Sequence, residues 1–142
     1  MAKKKTAKKK TAARDLPAVT AILTCDAVSS DPNSGKKTLY GLFDKFTPKQ
    51  FPSTASFWVF VRFLGGRGSH DVMFILVGPR KKKVAESPTF SLKCSKNKKH
   101  DVIMNLAGVE LRKKGTYSIE IAIDGRRRSV LEIQAEEWSD GQ

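Results

Sequence analysis

Two nearly unbroken apolar runs constrain this chain more than any other feature. Phe57-Trp58-Val59-Phe60-Val61-Arg62-Phe63-Leu64 and Val72-Met73-Phe74-Ile75-Leu76-Val77 flank a polar link, Gly65-Gly66-Arg67-Gly68-Ser69-His70-Asp71. A strand with one wet face alternates apolar and polar residues; runs rich in β-branched and aromatic residues without alternation need cover on both faces. The expectation is a hairpin in the middle of a sheet, or in a sheet packed against a second layer. This pattern speaks to fold and is silent on chemistry.

The rest of the chain also reads as β. Val19, Ala21, Leu23, Cys25 and Ala27 are expected to share one strand face, with Thr20, Thr24 and Asp26 on the other. A turn cluster over 29–35 precedes a strand from Leu39 to Phe46, interrupted at Gly41, and a crossing loop over 47–53. Gly78 to Lys83 reads as a turn and Val84 to Glu86 as a returning strand. Phe90, Leu92 and Cys94 alternate with polar residues, and Val102 to Val109 is mostly apolar. Tyr117, Ile119, Ile121 and Ile123 alternate most cleanly; Asp124-Gly125 then predicts a tight hairpin turn into Leu131 and Ile133. Seven or eight short strands without a helix predict an all-β fold, a two-layer antiparallel β-sandwich of immunoglobulin-like type. Its expected span is 18–138, with 139–142 as a short C-terminal end. A chain of 142 residues can bury such a core without disulfide or metal.

Charge is the one functional lead. Lys+Arg number 27 against 14 Asp+Glu, a net +13. Residues 1–14 hold two Lys-Lys-Lys-Thr-Ala repeats and carry Lys3, Lys4, Lys5, Lys8, Lys9, Lys10 and Arg14 with no acid. This tail, expected to be disordered through residue 17, holds seven of the 27 cations, so the remainder has 20 bases against 14 acids, +6. Such a field favours polyanions. No run approaches the roughly 18–20 apolar residues that span a bilayer. No apolar segment follows the charged N-terminus, so a secretory signal is not expected, and the chain is expected in the cytoplasm. Cys25 and Cys94 lack metal-ligand or redox spacing and are expected as buried thiols.

Cys25-Asp26, Gly35-Lys36, Leu39-Tyr40-Gly41-Leu42-Phe43-Asp44 and Phe51-Pro52 resemble the N-terminal half of a family of small uncharacterised bacterial proteins, a domain of unknown function. Gly115-Thr116-Tyr117-Ser118-Ile119-Glu120-Ile121 through Asp124-Gly125 is similar to that family's C-terminal hairpin. The resemblance covers residues 18–136 and implies a compact β-sandwich of bacterial origin with no assigned activity. The chain departs from it at Gly78-Pro79, where Arg80-Lys81-Lys82-Lys83 replaces an Asp-Gly type turn. The lysine repeat, also outside the family pattern, resembles the tails of bacterial linker-histone-like proteins. Gly115-Thr116-Tyr117 is similar to the tyrosine corner of immunoglobulin-like sandwiches; the plainer alternative is a core aromatic.

No catalytic residue is assigned. Ser69-His70-Asp71 has the residue types of a nucleophile triad, but neighbours in a turn cannot easily converge in its relay. Gly35-Lys36-Lys37-Thr38 echoes the end of a phosphate-binding loop but lacks its first glycine, which is Ser30 here. Asp26 and Asp44 are expected to satisfy loop backbone. No metal or cofactor is expected.

Four basic clusters fall in inter-strand loops: Arg80-Lys81-Lys82-Lys83, Lys96-Asn97-Lys98-Lys99, Arg112-Lys113-Lys114 and Arg126-Arg127-Arg128. With strands alternating up and down, the first and third belong at one end and the second and fourth at the other, near the Gly66–His70 turn. Isolated, each is an ordinary solvated turn. Together with the tail, Arg80, Lys81, Lys82, Lys83, Lys98, Lys99, Arg126, Arg127 and Arg128 form the candidate nucleic-acid-binding set, since arginine pairs bidentately with phosphate. The expectation is a non-enzymatic module holding DNA or RNA by its phosphate backbone, without base reading. The alternatives are a protein-interaction or structural accessory module with an acidic protein partner, and a membrane-surface or ribosome-associated factor.

Overall fold

The computed structural model describes residues 15–139. One layer is a three-stranded antiparallel sheet in the order β1 (Ala18–Cys25), β5 (Ser53–Leu64), β9 (Lys99–Leu111). The other runs β4 (Lys45–Phe46), β11 (Arg126–Ala135), β10 (Gly115–Ile123), β6 (Gly68–Val77), β7 (Lys83–Glu86). β8 (Phe90–Cys94) lies on the same edge of β6 as β7, pairing with Gly68–Val72 while β7 pairs with Ile75–Val77. β2 (Ala27–Ser30) and β3 (Lys37–Tyr40) form a separate hairpin. With β7 and β8 taken as one interrupted edge, the layers contain seven long strands and the two-residue β4. This is the expected antiparallel sandwich. β4 alone pairs parallel, with β11.

The two founding runs do not pair. β5 sits in the centre of the three-stranded sheet and β6 inside the opposite one, so the expected hairpin is instead a crossing between layers. Phe57, Val59, Val61 and Phe63 face Val72, Phe74 and Leu76 from the other sheet, joined by Tyr117, Ile119, Ile121 and Ile133. Both runs are continuous because each strand also has flanking partners; the local pattern records two-sided burial and not the identity of the neighbour. The crossing is tight at Gly66 (φ +87°), where a Cβ would stand 2.8 Å from Pro17 N and 2.9 Å from the Asp15 carbonyl oxygen. Asp15 to Pro17 are therefore packed against the crossing, three residues ahead of the expected start of the domain, and Pro17 is buried.

The first strand also differs from its sequence pattern. A bulge between Val19 and Ala21 resets the alternation, so Val19, Ile22 and Thr24 pair with the inward Phe63, Val61 and Val59. Leu23 turns outward and is 40% exposed, while Thr24 is buried and its hydroxyl donates to the Phe43 carbonyl at 2.6 Å. An extra residue in a strand flips every later side chain, which a strict two-residue period cannot anticipate.

The C-terminal hairpin follows its sequence pattern closely. β10 buries Tyr117, Ile119, Ile121 and Ile123, and the Asp124-Gly125 turn has φ of 53° and 82°, as a type I′ turn requires. Tyr117 is a tyrosine corner: buried to 1% exposure, it donates its hydroxyl to the Lys113 carbonyl at 2.8 Å. Its ring meets Phe46 edge-on at 6.0 Å, and Phe46 in turn packs on Phe43 and Phe57 at 5.6 and 5.3 Å. Tyr117→Phe keeps the ring packing and removes the bond to Lys113, for an expected loss of about 1 kcal/mol. Urea unfolding of the two proteins measures it; equal midpoints would show that the hydroxyl contributes nothing.

Candidate phosphate-binding ends

The strands of a sandwich deliver successive loops to opposite ends, and the basic clusters follow that parity. β9 begins at Lys99 and ends just before Arg112, so its 13 residues separate two of the clusters by roughly 40 Å. Arg80, Lys82 and Lys83 meet Arg112 and Lys113 at one end, where they line a common cleft of about 490 Å³. Lys96 to Lys99 and Arg126 to Arg128 lie at the other, although not all in loops as expected: Lys99 opens β9, and Arg126 to Arg128 are the first residues of β11. There the Gly65 amide donates to the Lys98 carbonyl at 2.8 Å, and the turn before Arg126 is bonded to Asp71 and His70. The surface is thus two cationic ends, with all four clusters exposed.

The first end encloses the cleft. Its cleft is bounded by Gly78, Pro79, Arg80, Lys82, Lys83 and Val84 on one side and Glu110, Arg112, Lys113 and Tyr117 on the other. Arg112 pairs with Glu110 at 3.1 Å, and Lys83 pairs with Glu86. Arg80, Lys82 and Lys113 have no carboxylate partner among the described residues. Arg80 and Lys81 both adopt left-handed backbone, φ 62° and 59°. That conformation costs each of them roughly 1 kcal/mol or more, which glycine would avoid. It turns the chain sharply at the tip.

The two walls are fastened to each other. A Cβ on Gly115 (φ +144°) would stand 2.8 Å from Pro79 Cγ, and one on Gly78 would stand 3.3 Å from the Tyr117 ring. The Gly78 amide donates to the Lys82 carbonyl at 2.7 Å, closing the first turn, and Tyr117 holds the second through Lys113. The spacing between the two sets of cations is therefore set by packed backbone and the buried tyrosine.

Of the sequence-derived candidates, Arg80, Lys82 and Lys83 line this cleft, and Lys81 sits at its tip. Lys98, Lys99, Arg126, Arg127 and Arg128 are placed at the far end, where Arg127 pairs with Glu120 at 3.1 Å. Lys3, Lys4, Lys5, Lys8, Lys9, Lys10 and Arg14 lie outside the described residues. Arg112 and Lys113 belong to the cleft although they were not in the candidate set. Their position just before the tyrosine corner, together with strand parity, was the available signal.

The far end is organised by His70. Its Nδ1 lies 2.7 Å from Asp124 Oδ2 and its Nε2 lies 2.8 Å from the Arg67 carbonyl. Both partners are acceptors, so only the imidazolium, with a proton on each nitrogen, satisfies both. Asp124 also accepts from the Asp71 amide at 3.0 Å. Burial opposes the charge, but the Asp124 carboxylate and the Arg67 carbonyl outweigh it and raise the His70 pKa above its ordinary value. Arg67 in turn donates its amide to the Asp15 carbonyl at 2.9 Å, and its guanidinium lies 3.8 Å from the Asp15 carboxylate. Ser69-His70-Asp71 is therefore not the turn its sequence suggests but the start of β6, paired with Lys93, Leu92 and Ser91 of β8; His70 points inward to Asp124, and its partner is not its sequence neighbour.

The remaining candidate groups have structural surroundings. Cys25 and Cys94 are free, buried thiols, and burial pushes both pKa values up. Asp26 donates its amide to the carbonyls of Tyr40 and Gly41 at 2.9 and 3.2 Å, while Asp44 is exposed. Among the described residues no three His, Cys, Asp or Glu side chains cluster as a metal site. No helix among them is long and apolar enough to cross a membrane.

Residues 20–136 match the profile of DUF6941, a family of unknown function. No curated protein sequence matches the chain. Among solved structures, the CARDB domain of the PF1109 protein from Pyrococcus furiosus, crystallised in complex with di-metal ions, is similar at 14% identity. The similarity covers 95% of this chain and 100% of that one, with a TM-score of 0.39.

A pH dependence follows from His70. Its folded pKa is raised, so its contribution is complete below the unfolded value of about 6.5 and is lost as pH rises through the folded value. At pH 5.5, His70→Gln is expected to be about 2 kcal/mol less stable than the parent. The gap should narrow at pH 9, as read by urea midpoints at the two pH values. A pH-independent gap would contradict the imidazolium assignment.

Proposed function

Because the chain belongs to DUF6941, a family of unknown function, we propose a role from its own surface: a non-enzymatic, basic β-sandwich module of the cytoplasm that associates with the phosphate backbone of DNA or RNA. The observation that carries this reading is the convergence of Arg80, Lys82, Lys83, Arg112 and Lys113 on one cleft. The second basic end, with Lys98, Lys99 and Arg126 to Arg128, and the seven cations of residues 1–14 extend the same field. Phosphate contacts of this kind position a protein without reading bases, and their strength falls steeply with salt. Two ends roughly 40 Å apart and facing opposite ways suit the joining of two nucleic-acid segments better than the tracking of one. In this reading the tail acts as a tether, adding charge without geometry.

A protein-interaction role has its own supporting observation. Tyr40, Leu42 and Leu23 are 51%, 59% and 40% exposed around the β1–β3 region, and Trp138 is 47% exposed. Apolar side chains grouped on a surface favour a protein partner. The acidic partner of that reading would meet the same basic ends.

The two readings separate in solution. With labelled duplex across a salt series, residues 1–142 should show a log–log slope that exceeds that of residues 15–142 by up to about 6, if all seven tail cations meet phosphate. Equal slopes would remove the tail from the account. No binding by either chain near 0.15 M salt would overturn the nucleic-acid reading and leave the apolar group around Leu42 as the stronger lead.

A further inference from the structure

We propose that the cleft between the Gly78–Val84 and Glu110–Gly115 turns is a discrete site for a compact phosphate group bearing two or more negative charges. A diphosphate or the terminal phosphate of a nucleic-acid strand has this chemistry. The inference rests on the phosphate-recognising part of the reading above and narrows it from a diffuse field to one end of the molecule.

Three observations converge on it. The first is shape: about 490 Å³ lies between two turns, within the range of small-ligand sites and large enough for a nucleotide. The second is charge. Five cations, Arg80, Lys82, Lys83, Arg112 and Lys113, line that volume against the single carboxylate of Glu110. The excess is +4, and three of the five have no carboxylate partner among the described residues. Like charges brought together repel, so a compact polyanion relieves the cleft in a way that singly charged diesters spaced along a strand do not. The third is rigidity. Pro79 packs on Gly115, and the buried Tyr117 holds the Lys113 carbonyl, so the cations are spaced before any ligand arrives.

A second cleft supplies the contrast. It encloses about 380 Å³ between β4 and the start of β5, and its charged lining is Asp26 and Lys45, one of each sign. Lys45 is also paired with Glu136 at 3.2 Å. A concavity with balanced charge has no preference for an anion. At the far end Arg127 is paired with Glu120 at 3.1 Å.

Arginine is suited to the role, since its planar fork meets two phosphate oxygens at once. Arg80 and Arg112 stand on opposite walls, one on each turn. A phosphate between them would accept from both, with Lys82 and Lys113 adding charge from the rim.

Calorimetric titration of the full 142-residue protein with inorganic pyrophosphate tests the site. A second arm compares one single-stranded oligonucleotide bearing either a 5′-phosphate or a 5′-hydroxyl. Pyrophosphate should bind one to one. Affinity should drop about tenfold or more in the double variant Arg80→Gln/Arg112→Gln, and stay unchanged in Lys49→Gln/Lys93→Gln, which removes the same charge elsewhere. All four positions are exposed, and matching thermal melts confirm that the variants fold. Tighter binding of the phosphorylated oligonucleotide would identify a strand end as the source; equal oligonucleotide binding would identify a free diphosphate. Absence of pyrophosphate binding, or equal binding by both double variants, would overturn the site. Oligonucleotide binding that persists in that case would leave the general nucleic-acid reading standing, whereas pyrophosphate binding without any oligonucleotide binding would remove that reading and keep the site.

Discussion

The crossing at Gly65 to Arg67 separates two of the most apolar segments of the chain into opposite sheets, and the rest of the structure is arranged around that separation. β5 takes the centre of one layer and β6 an inner position in the other, so Phe57, Val59, Val61 and Phe63 are buried against Val72, Phe74 and Leu76. Each such side chain contributes about 1.5–3 kcal/mol on leaving water, more than any single surface ion pair offers. The crossing is held by close backbone approach at Gly66 and by His70, which joins the Arg67 carbonyl to the Asp124 turn. Outward of β5, the Arg62 guanidinium binds Asp101 at 2.7 and 2.9 Å and stands over Phe60 at 5.7 Å. That pair keeps a cation on an otherwise apolar strand without burying it unpaired.

The basic surface is a consequence of the same layering. Once successive strands run in opposite directions, their connections gather at two ends, and a chain with basic connections acquires two basic ends. The end near Tyr117 holds a cleft because the two turns there approach through Pro79 and Gly115 and enclose space between them. The sandwich thus supplies fixed geometry, while the exposed cations supply charge.

Much of this was legible in the residues. The period-two alternation of β8, β10 and β11, the Asp124-Gly125 turn and the tyrosine corner at Tyr117 all reflect local chemistry, which one sequence records directly. Strand parity was enough to assign the basic clusters to ends. Pairing was less legible. A continuous apolar run reports that both faces are covered, but β5 and β6 carry the same signature whether they face each other across layers or pair side by side. The bulge at Thr20 inverted the expected faces of β1 because nothing in Ala18 to Cys25 marks the extra residue. Arg112 and Lys113 joined the cleft for a reason of three-dimensional adjacency, the contact of Gly115 with Pro79, which spacing alone does not express.

The central claim is that the basic ends, and not the sheet faces, meet the ligand. The most direct measurement is a nitrogen-15 amide map of the full-length protein during titration with a short DNA duplex at moderate salt. The account predicts that shifts concentrate at residues 78–84 and 110–115, with a second group at 96–99 and 124–128. Resonances of the outward positions of β1 and β5, around Leu23 and Phe60, should stay in place. Shifts confined to Leu23, Tyr40 and Leu42, with both basic ends silent, would contradict it.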